Sequence, residues 1–394
     1  MTLDNFADAF AILADAPGGI ARLRKLILQL AVQGRLVEQD PNDEPANTLF
    51  EQIQNKKLQL IKANRLRKSS PLPEVSFDEM FFDLPRSWMW VRLGELGDWG
   101  AGATPDRKRA DFYSGTIRWL KSGELNDGYV ADSEEKITEL ALAKCSLRVN
   151  APGDILIAMY GATIGKLAIL QIEATTNQAV CACTCFTGVY NRYLFYLLRA
   201  FRQRFTDQGA GGAQPNISRE KIIHTVAPLP PLAEQRRIVE RVDELMARCD
   251  TLEQQGAQQT TQRRRLLATL IDGLLHANDA HEAAIAWARL RDSFDMLLDT
   301  PELVAPLRQA VLQLAVQGRL VAQDERDEPA SVLLERVRAE KARLVRECKI
   351  KKVEPSVLVI VGQHLFAVPK SWAWSTLQSL VQLRSNNSRV SLAT

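Results

Sequence analysis

The sequence predicts an α/β domain that is preceded by helices and followed by a long coiled-coil helix. Three observations support this fold class. An amphipathic stretch at residues 23–40 recurs at residues 307–324 with 14 of 18 positions identical and an offset of 284 residues. Between the two copies, helical periodicity gives way to short apolar runs separated by turn residues. After residue 231, the apolar positions follow the spacing of a coiled-coil seam.

Residues 1–84 are predicted to form a helical segment. Leu23, Ile27 and Leu30 follow the i, i+4, i+7 spacing of one apolar helix face. Gly34 is suited to end this first helix, and a second helix is predicted at about residues 47–68. The basic end of the second helix leaves two interpretations open, a solvated helix terminus and a contact with phosphate.

Residues 85–230 are predicted to form the mixed α/β domain, which is long enough to enclose its own core. Three cysteines alternate near its centre, so a strand would place them on one face as buried thiols rather than metal ligands. Three prolines after residue 227 predict a rigid boundary. The predicted elements are strands at residues 90–93, 116–120, 154–159, 167–172 and 179–184, and a helix at residues 191–204.

Residues 231–277 are predicted to form one long spacer helix. Apolar residues step by 4, 3, 4 and 3 from Ile238 to Leu252, which predicts packing against another helix of this protein or of a partner. Residues 283–368 then repeat the helical segment. Residues 369–394 match the opening of the α/β domain and predict a truncated second copy of it.

Composition excludes several classes of protein. The N-terminus lacks the basic and apolar regions of a secretory signal, and no apolar run approaches the ~20 residues of a membrane span. A location in the cytoplasm is therefore expected. The net charge of +3 indicates no partner by itself.

No catalytic motif is found. Gly161 and Gly165 enclose only three residues and Leu167 follows Lys166, which does not fit a phosphate-binding loop. Glu134 and Glu135 lie in a polar run that predicts a solvated helix. The sequence thus predicts no enzyme, no cofactor and no metal site.

DNA binding is compatible with the sequence but is not established by composition. Residues 100–130 mix basic residues with Tyr113, Trp119 and Tyr129, which suits contacts to phosphates and base edges. Asparagine and glutamine side chains follow at 177, 178, 214 and 216. The alternative is that these amides only shape turns and caps.

Four stretches resemble the specificity subunit of type I restriction–modification systems. The most specific is the last, in which a proline-rich joint leads into a helix that begins AEQRRIV. The repeated QLAVQGRL also resembles the N-terminal helical segment of that family. The stretches are WLKSGEL at residues 119–125, PGDILIAMYGATIGKLAI at 152–169, TTNQAV at 175–180, and residues 211–218 with 228–253.

The resemblance implies two target recognition domains held apart by two long antiparallel helices, each domain recognising half of a split sequence in double-stranded DNA. A helix of ~40 residues would span ~60 Å. The subunit is implied to have no catalysis and no cofactor of its own. It would dock modification subunits, which methylate adenine, and through that complex the restriction subunits.

The resemblance also implies candidate DNA-binding residues. Arg107, Lys108 and Lys166 are expected on phosphates, and base contacts are expected among Lys121, Glu124 and the amides. The full set is Arg107, Lys108, Lys121, Ser122, Glu124, Tyr160, Thr163, Lys166, Asn177, Gln178, Gln214 and Asn216.

The incomplete second unit leaves three interpretations open. Two chains pair through their helices as a homodimer and recognise a symmetric, interrupted target. Alternatively, the chain is an interaction module that occupies modification subunits without directing them. The third interpretation is an inactive truncated product.

Overall fold

The computed structural model describes residues 13, 16–209, 216–298, 301–350 and 366–381. The chain forms two compact units, Met1–Gln255 and Gly256–Thr394, and each encloses an apolar core. Among the described helices, none has the length and apolar character needed to cross a membrane.

The first unit begins with two helices and continues into the α/β domain. The apolar face predicted for the first helix is present, because Leu23 and Ile27 are buried one turn apart. The helices of this unit are α1 (Gly19–Val32), α2 (Ala46–Lys62), α3 (Glu139–Lys144), α4 (Asn191–Ala200), α5 (Arg202–Gly209) and α6 (Arg219–His224), followed by the beginning of α7 (Leu232–Leu275).

The strands of the first unit form three sheets. The largest has the order β2-β9-β6-β7-β4, and two smaller sheets have the orders β5-β3-β8 and β1-β10. Parallel and antiparallel pairs both occur, so the sheets are mixed. The strands are β1 (Met89–Arg92), β2 (Gly97–Ala101), β3 (Tyr113–Leu120), β4 (Gly128–Val130), β5 (Glu135–Ile137), β6 (Ile155–Ala158), β7 (Leu167–Leu170), β8 (Thr175–Thr176), β9 (Val180–Cys185) and β10 (Val226–Leu229).

The five predicted strands are present as β1, β3, β6, β7 and β9, with ends shifted by a few residues. The predicted helix at 191–204 is divided into α4 and α5. The long helix α7 begins at Leu232, directly after the proline-rich stretch, and Pro228 lies inside β10 opposite Trp90 of β1. Proline is tolerated there because this two-stranded sheet consists only of edge strands.

The alternating cysteines lie where β9 passes through the core. Cys181 and Cys183 are buried, facing Ile157 and Ile155 across the β6–β9 pair, while Cys185 is half-buried. Burial raises the pKa of the Cys181 thiol to about 12, because a low-dielectric interior disfavours the thiolate. The prediction that Cys181 and Cys183 are buried thiols is confirmed.

A buried polar junction joins the helical segment to the start of α7. The indole Nε1 of Trp88 donates to the Glu234 carboxylate at 2.8 Å, and Gln39 Nε2 donates to its other oxygen at 2.5 Å. Burial raises the pKa of Glu234. Gly34 lies beside Trp88 with φ +66°, and a Cβ there would approach Pro85 Cγ to 2.5 Å, so only glycine fits without strain.

The segment after α2 is fixed to β1 by Arg92, whose side chain is buried. Its guanidinium donates to Glu79 at 2.7 and 3.0 Å and also to the carbonyl oxygens of Pro73, Glu74 and His224. These hydrogen bonds to Arg92 and to Ser76 lower the pKa of Glu79 to about 2. This charged fork of Arg92 and Glu79 therefore connects β1, residues 73–79 and the end of α6.

The predicted seam of α7 faces the first unit's core. Arg24 of α1 also donates to Asp250 and Glu253 of α7, both at 2.6 Å. The seam residues that are buried are Ile238, Val242, Leu245 and Cys249.

All regular elements among the described residues of the second unit are helices. Its core joins the end of α7 to later helices through Leu267, Leu290, Leu303 and Leu314. Its helices, after the end of α7, are α8 (Ala280–Asp292), α9 (Phe294–Leu297), α10 (Pro301–Val316), α11 (Ala330–Arg346) and α12 (Leu377–Leu380).

The second copy of the repeat reproduces the local geometry of the first copy. Gly318 has φ +68°, and a Cβ there would approach Pro369 Cγ to 2.6 Å. Ser371 Oγ donates to Gln323 Oε1 at 3.1 Å, just as Ser87 donates to Gln39 at 3.0 Å. The two copies differ strongly, however, in how far their apolar side chains are buried.

In the second copy, an apolar face that is covered in the first copy is open. Leu36 is 1 % exposed whereas its counterpart Leu320 is 49 % exposed, and Trp88 is 6 % exposed whereas Trp372 is 43 % exposed. The open face, residues 320, 321 and 372, is called the second-copy face. In the first copy, Trp88 instead bonds to Glu234 at the beginning of α7.

Candidate nucleic-acid interface

Strand pairing brings four separate loops to one edge of the α/β domain. β3 and β8 are parallel, so the loops that follow them, residues 121–124 and 177–178, lie side by side. β9 is antiparallel to β6, so the loop after β6, residues 160–166, meets the loop before β9. Asn216 forms an isolated bridge with Tyr160. Together these residues are called the loop edge.

Three main-chain hydrogen bonds fasten the loop edge. Asn177 N donates to Leu120 O at 2.9 Å, Met159 N donates to Ala179 O at 2.8 Å, and Ile217 N donates to Met159 O at 2.9 Å. Each bond joins the backbone immediately beside a predicted site residue. These three bonds hold the loops together through backbone groups alone.

Glu124 and its neighbours form a closed turn. Glu124 accepts from the backbone N–H groups of Lys121 and Glu134, one on each carboxylate oxygen and both at 2.8 Å. Its role in the described structure is therefore to shape the loop. A base contact by Glu124 would have to use the remaining lone pairs of these oxygens.

Two further predicted residues also shape turns. Thr163 Oγ1 donates to Tyr160 O at 2.8 Å. Asn177 Oδ1 accepts from Ala179 N at 3.2 Å, which is the local hydrogen bonding expected of asparagine in turns.

Six predicted side chains make no hydrogen bond or ion pair with any other described residue. Tyr160 is 40 % exposed, and Lys108, Gln178 and Asn216 are exposed as well. These side chains can meet a ligand without breaking an internal bond. The six are Lys108, Ser122, Tyr160, Lys166, Gln178 and Asn216.

Arg107 and Lys121 are joined through one carboxylate. Arg107 donates to Glu135 at 2.5 Å, and Lys121 Nζ donates to Glu134 at 2.9 Å and to Glu135 at 3.1 Å. Arg107 thereby lowers the pKa of Glu135, with a smaller effect from Lys121. Glu134 and Glu135 together raise the pKa of Lys121. The polar run around these acids is strand β5 rather than the predicted solvated helix, because Glu135 to Ile137 pair with β3.

Arg107 also stacks on aromatic rings. Its Cζ lies 4.7 Å from the centroid of Tyr113 and 4.9 Å from that of Trp119. Such a cation–π contact, combined with the Glu135 pair, holds the guanidinium at the surface of β3.

Other basic residues of the 100–130 region are paired as well. Arg109 lies 2.5 Å from Asp111 and Arg118 lies 2.9 Å from Asp132. Sequence spacing does not predict the second pair, because Asp132 is 14 residues from Arg118. Exposed pairs of this kind contribute little stability, so phosphate could replace the carboxylate at small cost.

One structural support of the site was not predicted. Arg202 of α5 donates to Gly165 O at 2.9 Å and forms an ion pair with Asp127. Asp127 in turn accepts from Leu167 N at 3.1 Å. This clamp fixes the turn that carries Lys166. The only local signal was the Asn126-Asp127-Gly128 turn sequence, in which Asp127 adopts φ +62°.

Gln214, the remaining predicted residue, lies outside the described residues. The described loop edge therefore contains nine of the predicted residues, with Arg107 and Lys108 on the adjoining β2–β3 connection.

The region that contains the loop edge matches a known protein family. Residues 85–262 match the family described as "Type I restriction modification DNA specificity domain". Over 375 residues, the chain is 36 % identical to the type I restriction enzyme EcoAI specificity subunit of Escherichia coli and 34 % identical to the EcoEI specificity subunit of the same organism. Each alignment covers 92 % of this chain and 62 % of the relative, so the chain spans less than two thirds of these proteins.

Among solved structures, the HsdS subunit from Thermoanaerobacter tengcongensis aligns with a TM-score of 0.36 and 20 % identity. That alignment covers 60 % of this chain and 50 % of the other.

Proposed function

This chain belongs to the specificity subunits of type I restriction–modification systems, and we propose that its loop edge recognises one half of a split sequence in double-stranded DNA. Residues 85–230 would be the target recognition domain. The subunit would contribute recognition and no catalysis, and would act in the cytoplasm.

The convergence of the four loops carries this proposal. Gln178 and Asn216 come from distant parts of the chain, yet the hydrogen bonds through Met159 place their loops next to each other. Amide side chains pair bidentately with adenine in the major groove. The internally unbonded Gln178 and Asn216 are therefore proposed as base-contacting residues, with Ser122 and Tyr160 beside them and Lys121 and Glu124 shaping the adjoining loop.

Phosphate contacts are proposed for Lys108 and Lys166. Neither ammonium group has an internal partner among the described residues, so binding a phosphate oxygen breaks no ion pair. Arg107 is also proposed to bind a phosphate, which would replace Glu135 as the partner of its guanidinium. Such contacts position a protein on DNA and add a salt-dependent attraction that is independent of sequence.

Modification subunits are proposed as the protein partners, with restriction subunits joining through the same complex. The named relatives are specificity subunits of restriction enzymes, and recognition without catalysis requires a catalytic partner. The chain would direct adenine methylation to the sequence that the loop edge recognises.

Pairing of two chains is also proposed, through the second-copy face and neighbouring helices. Val321 and Leu320 are exposed there, and Leu312 and Val316 on α10 are exposed as well. Exposed apolar groups on one surface mark a protein-binding region. A two-fold homodimer would present two identical loop edges and would require a palindromic, interrupted target.

Reconstitution with the modification subunit tests the proposal. The chain and that subunit are produced together in cells, and methylated adenines are located by single-molecule sequencing. A single methylated motif that changes in a Gln178→Ala/Asn216→Ala variant is the expected result. A stable complex that methylates no defined motif would contradict DNA recognition and would favour the interaction-module alternative.

A further inference from the structure

A second basic surface lies in the first unit, apart from the candidate DNA-binding residues. A groove of about 740 Å³ runs between residues 65–70, which follow α2, and the edge strand β2, with residues 146–148 completing its wall. The Arg92 fork holds the 73–79 part of the same segment against β1. This feature is called the basic groove.

Three cations of the basic groove have internal partners. Lys57 is 2.8 Å from Glu95, Arg148 is 3.1 Å from Asp98, and Arg219 is 2.7 Å from Glu220. Asp98 is the one acidic residue among those that line the groove.

Three further cations of the basic groove have no internal partner among the described residues. Arg65, Arg67 and Lys68 are exposed and make no side-chain hydrogen bond or ion pair within the described part of the chain. They lie within four positions of one another on the segment whose later part, residues 73–79, is held by Arg92. Negatively charged groups of a ligand can pair with these three cations without breaking an internal ion pair.

The repeat preserves these three charges. At the 284-residue offset, the sequence places Lys349, Lys351 and Lys352 opposite Arg65, Arg67 and Lys68. The next two positions are not preserved, since Ser69 and Ser70 become Val353 and Glu354. The repeat therefore retains the three cations but not the residues that directly follow them.

The basic groove continues to the loop edge. Gly100 and Ala101 line the groove, and the next residues bond to backbone that flanks residues 177–178 of the loop edge. Gly102 N donates to Val180 O and Ala103 N donates to Thr176 O, both at 3.0 Å. From Gly97 to Ala101, β2 extends ~13 Å, which corresponds to about four base pairs along the DNA axis.

We propose that the basic groove binds the phosphate backbone of DNA beside the base pairs that contact the loop edge. This inference rests on the proposed DNA recognition. It extends the contact surface from the α/β domain to the helical segment, with Arg65, Arg67 and Lys68 as the phosphate ligands. Continuity with the loop edge favours DNA over an acidic protein segment.

The test measures the salt dependence of DNA binding by the full chain. Fluorescence anisotropy with a duplex of about 40 base pairs is recorded between 50 and 200 mM salt, a range in which each phosphate contact contributes about 0.9 to the logarithmic slope. The Arg65→Gln/Arg67→Gln/Lys68→Gln variant is expected to lose about 2 to 3 from that slope. The wild type should then lose about 40-fold more affinity than the variant across this range.

A control variant changes the same net charge elsewhere in the first unit. Lys25, Arg35 and Arg86 are exposed and do not line the basic groove, so replacing all three by glutamine should leave the slope almost unchanged. An Arg65→Lys/Arg67→Lys variant should keep the wild-type slope. Circular dichroism confirms that each variant is folded.

The outcomes separate this inference from the proposed function. If the wild type binds DNA and the triple variant keeps the full slope, or if the control loses as much, the basic groove is not a phosphate site while DNA recognition stands. If the wild type shows no salt-dependent DNA binding, both the inference and the proposed function are overturned.

Discussion

Trp88 and Glu234 are hydrogen-bonded to each other at 2.8 Å inside the first unit, although 146 residues separate them. Trp88 directly precedes β1 of the α/β domain, and Glu234 lies in the first turn of α7. The pair therefore fixes where the long helix leaves the α/β domain. Because the carboxylate is buried, its hydrogen bonds to Trp88 and Gln39 offset the cost of removing the charge from water.

Replacing Glu234 by alanine should destabilise the first unit. The buried indole N–H of Trp88 would lose its acceptor, which costs about 1–3 kcal/mol. Glu234→Gln keeps an acceptor oxygen and should cost less. Urea unfolding followed by tryptophan fluorescence measures both variants, and equal stability of Glu234→Ala and wild type would contradict the structural role of the pair.

The acid stability of the first unit should depend on Glu79. Its pKa is lowered from the ordinary 4.5 to about 2 in the folded protein, so its contribution is complete above pH 4.5 and declines as the pH falls towards 2. Glu79→Gln should lower stability at pH 7 and flatten the dependence between pH 4.5 and 2. Urea unfolding at a series of pH values checks this, and Glu74→Gln, whose side chain is not part of the fork, is the control. An unaltered acid dependence would show that the fork is not formed in solution.

Removing the Lys166 ammonium should weaken binding to every DNA sequence about equally. Lys166→Ala is expected to lower the salt slope by about one, as for the loss of one phosphate contact. Lys25→Ala on α1 is a matched control, because Lys25 lies on a different element. Anisotropy titrations at several salt concentrations provide the slopes. A slope that does not change for Lys166→Ala would remove this residue from the phosphate contacts.

Gln178→Ala should lower sequence specificity without changing the salt slope, which is the opposite of the result expected for Lys166→Ala. Loss of a bidentate base contact costs about 1–3 kcal/mol of discrimination and leaves the phosphate contacts intact. Competition between the methylated motif and unrelated duplexes should therefore show a lower specificity ratio at an unchanged salt slope. Gln29→Ala on α1 is the matched control. If Gln178→Ala changed the slope and kept the ratio, Gln178 would not be a base contact.

Charge on the second-copy face should prevent pairing of the chains. Val321 is 73 % exposed, so Val321→Asp should not disturb the fold, but it would bury a carboxylate in an apolar interface. Sedimentation velocity should show a dimer for the wild type and a monomer for the variant. Leu58→Asp, at an exposed position of α2, should remain dimeric. A wild type that sediments as a monomer at all concentrations tested would exclude the homodimer.

Periodicity predicted the elements that have strong apolar patterns. The seam of α7 and the interior strands β6, β7 and β9 carry enough apolar residues to mark their positions. The shorter strands β4, β5 and β8 could not be predicted, because two or three residues give no measurable alternation. They exist through pairing with β3 and β7, which depends on distant parts of the chain.

Pairing of charges was the least predictable feature of the candidate site. Arg107 and Lys121 are both predicted to contact DNA, and in the described structure both form ion pairs with Glu135 of β5. The contact follows from the antiparallel pairing of β3 with β5, which no spacing in the sequence indicates. Residue type predicted which groups carry charge, whereas the sheet determines which of them remain unpaired.

The three main-chain bonds at Leu120, Met159 and Ala179 have an evolutionary consequence. Backbone groups are the same for every amino acid except proline, so most substitutions at Ser122, Gln178 or Asn216 leave these bonds intact. If the loop edge recognises DNA as proposed, mutations there can alter the preferred DNA sequence at almost no cost in stability. The fold would then allow specificity to diverge rapidly, whereas mutations at Glu124 or Asp127 would disrupt the loops themselves.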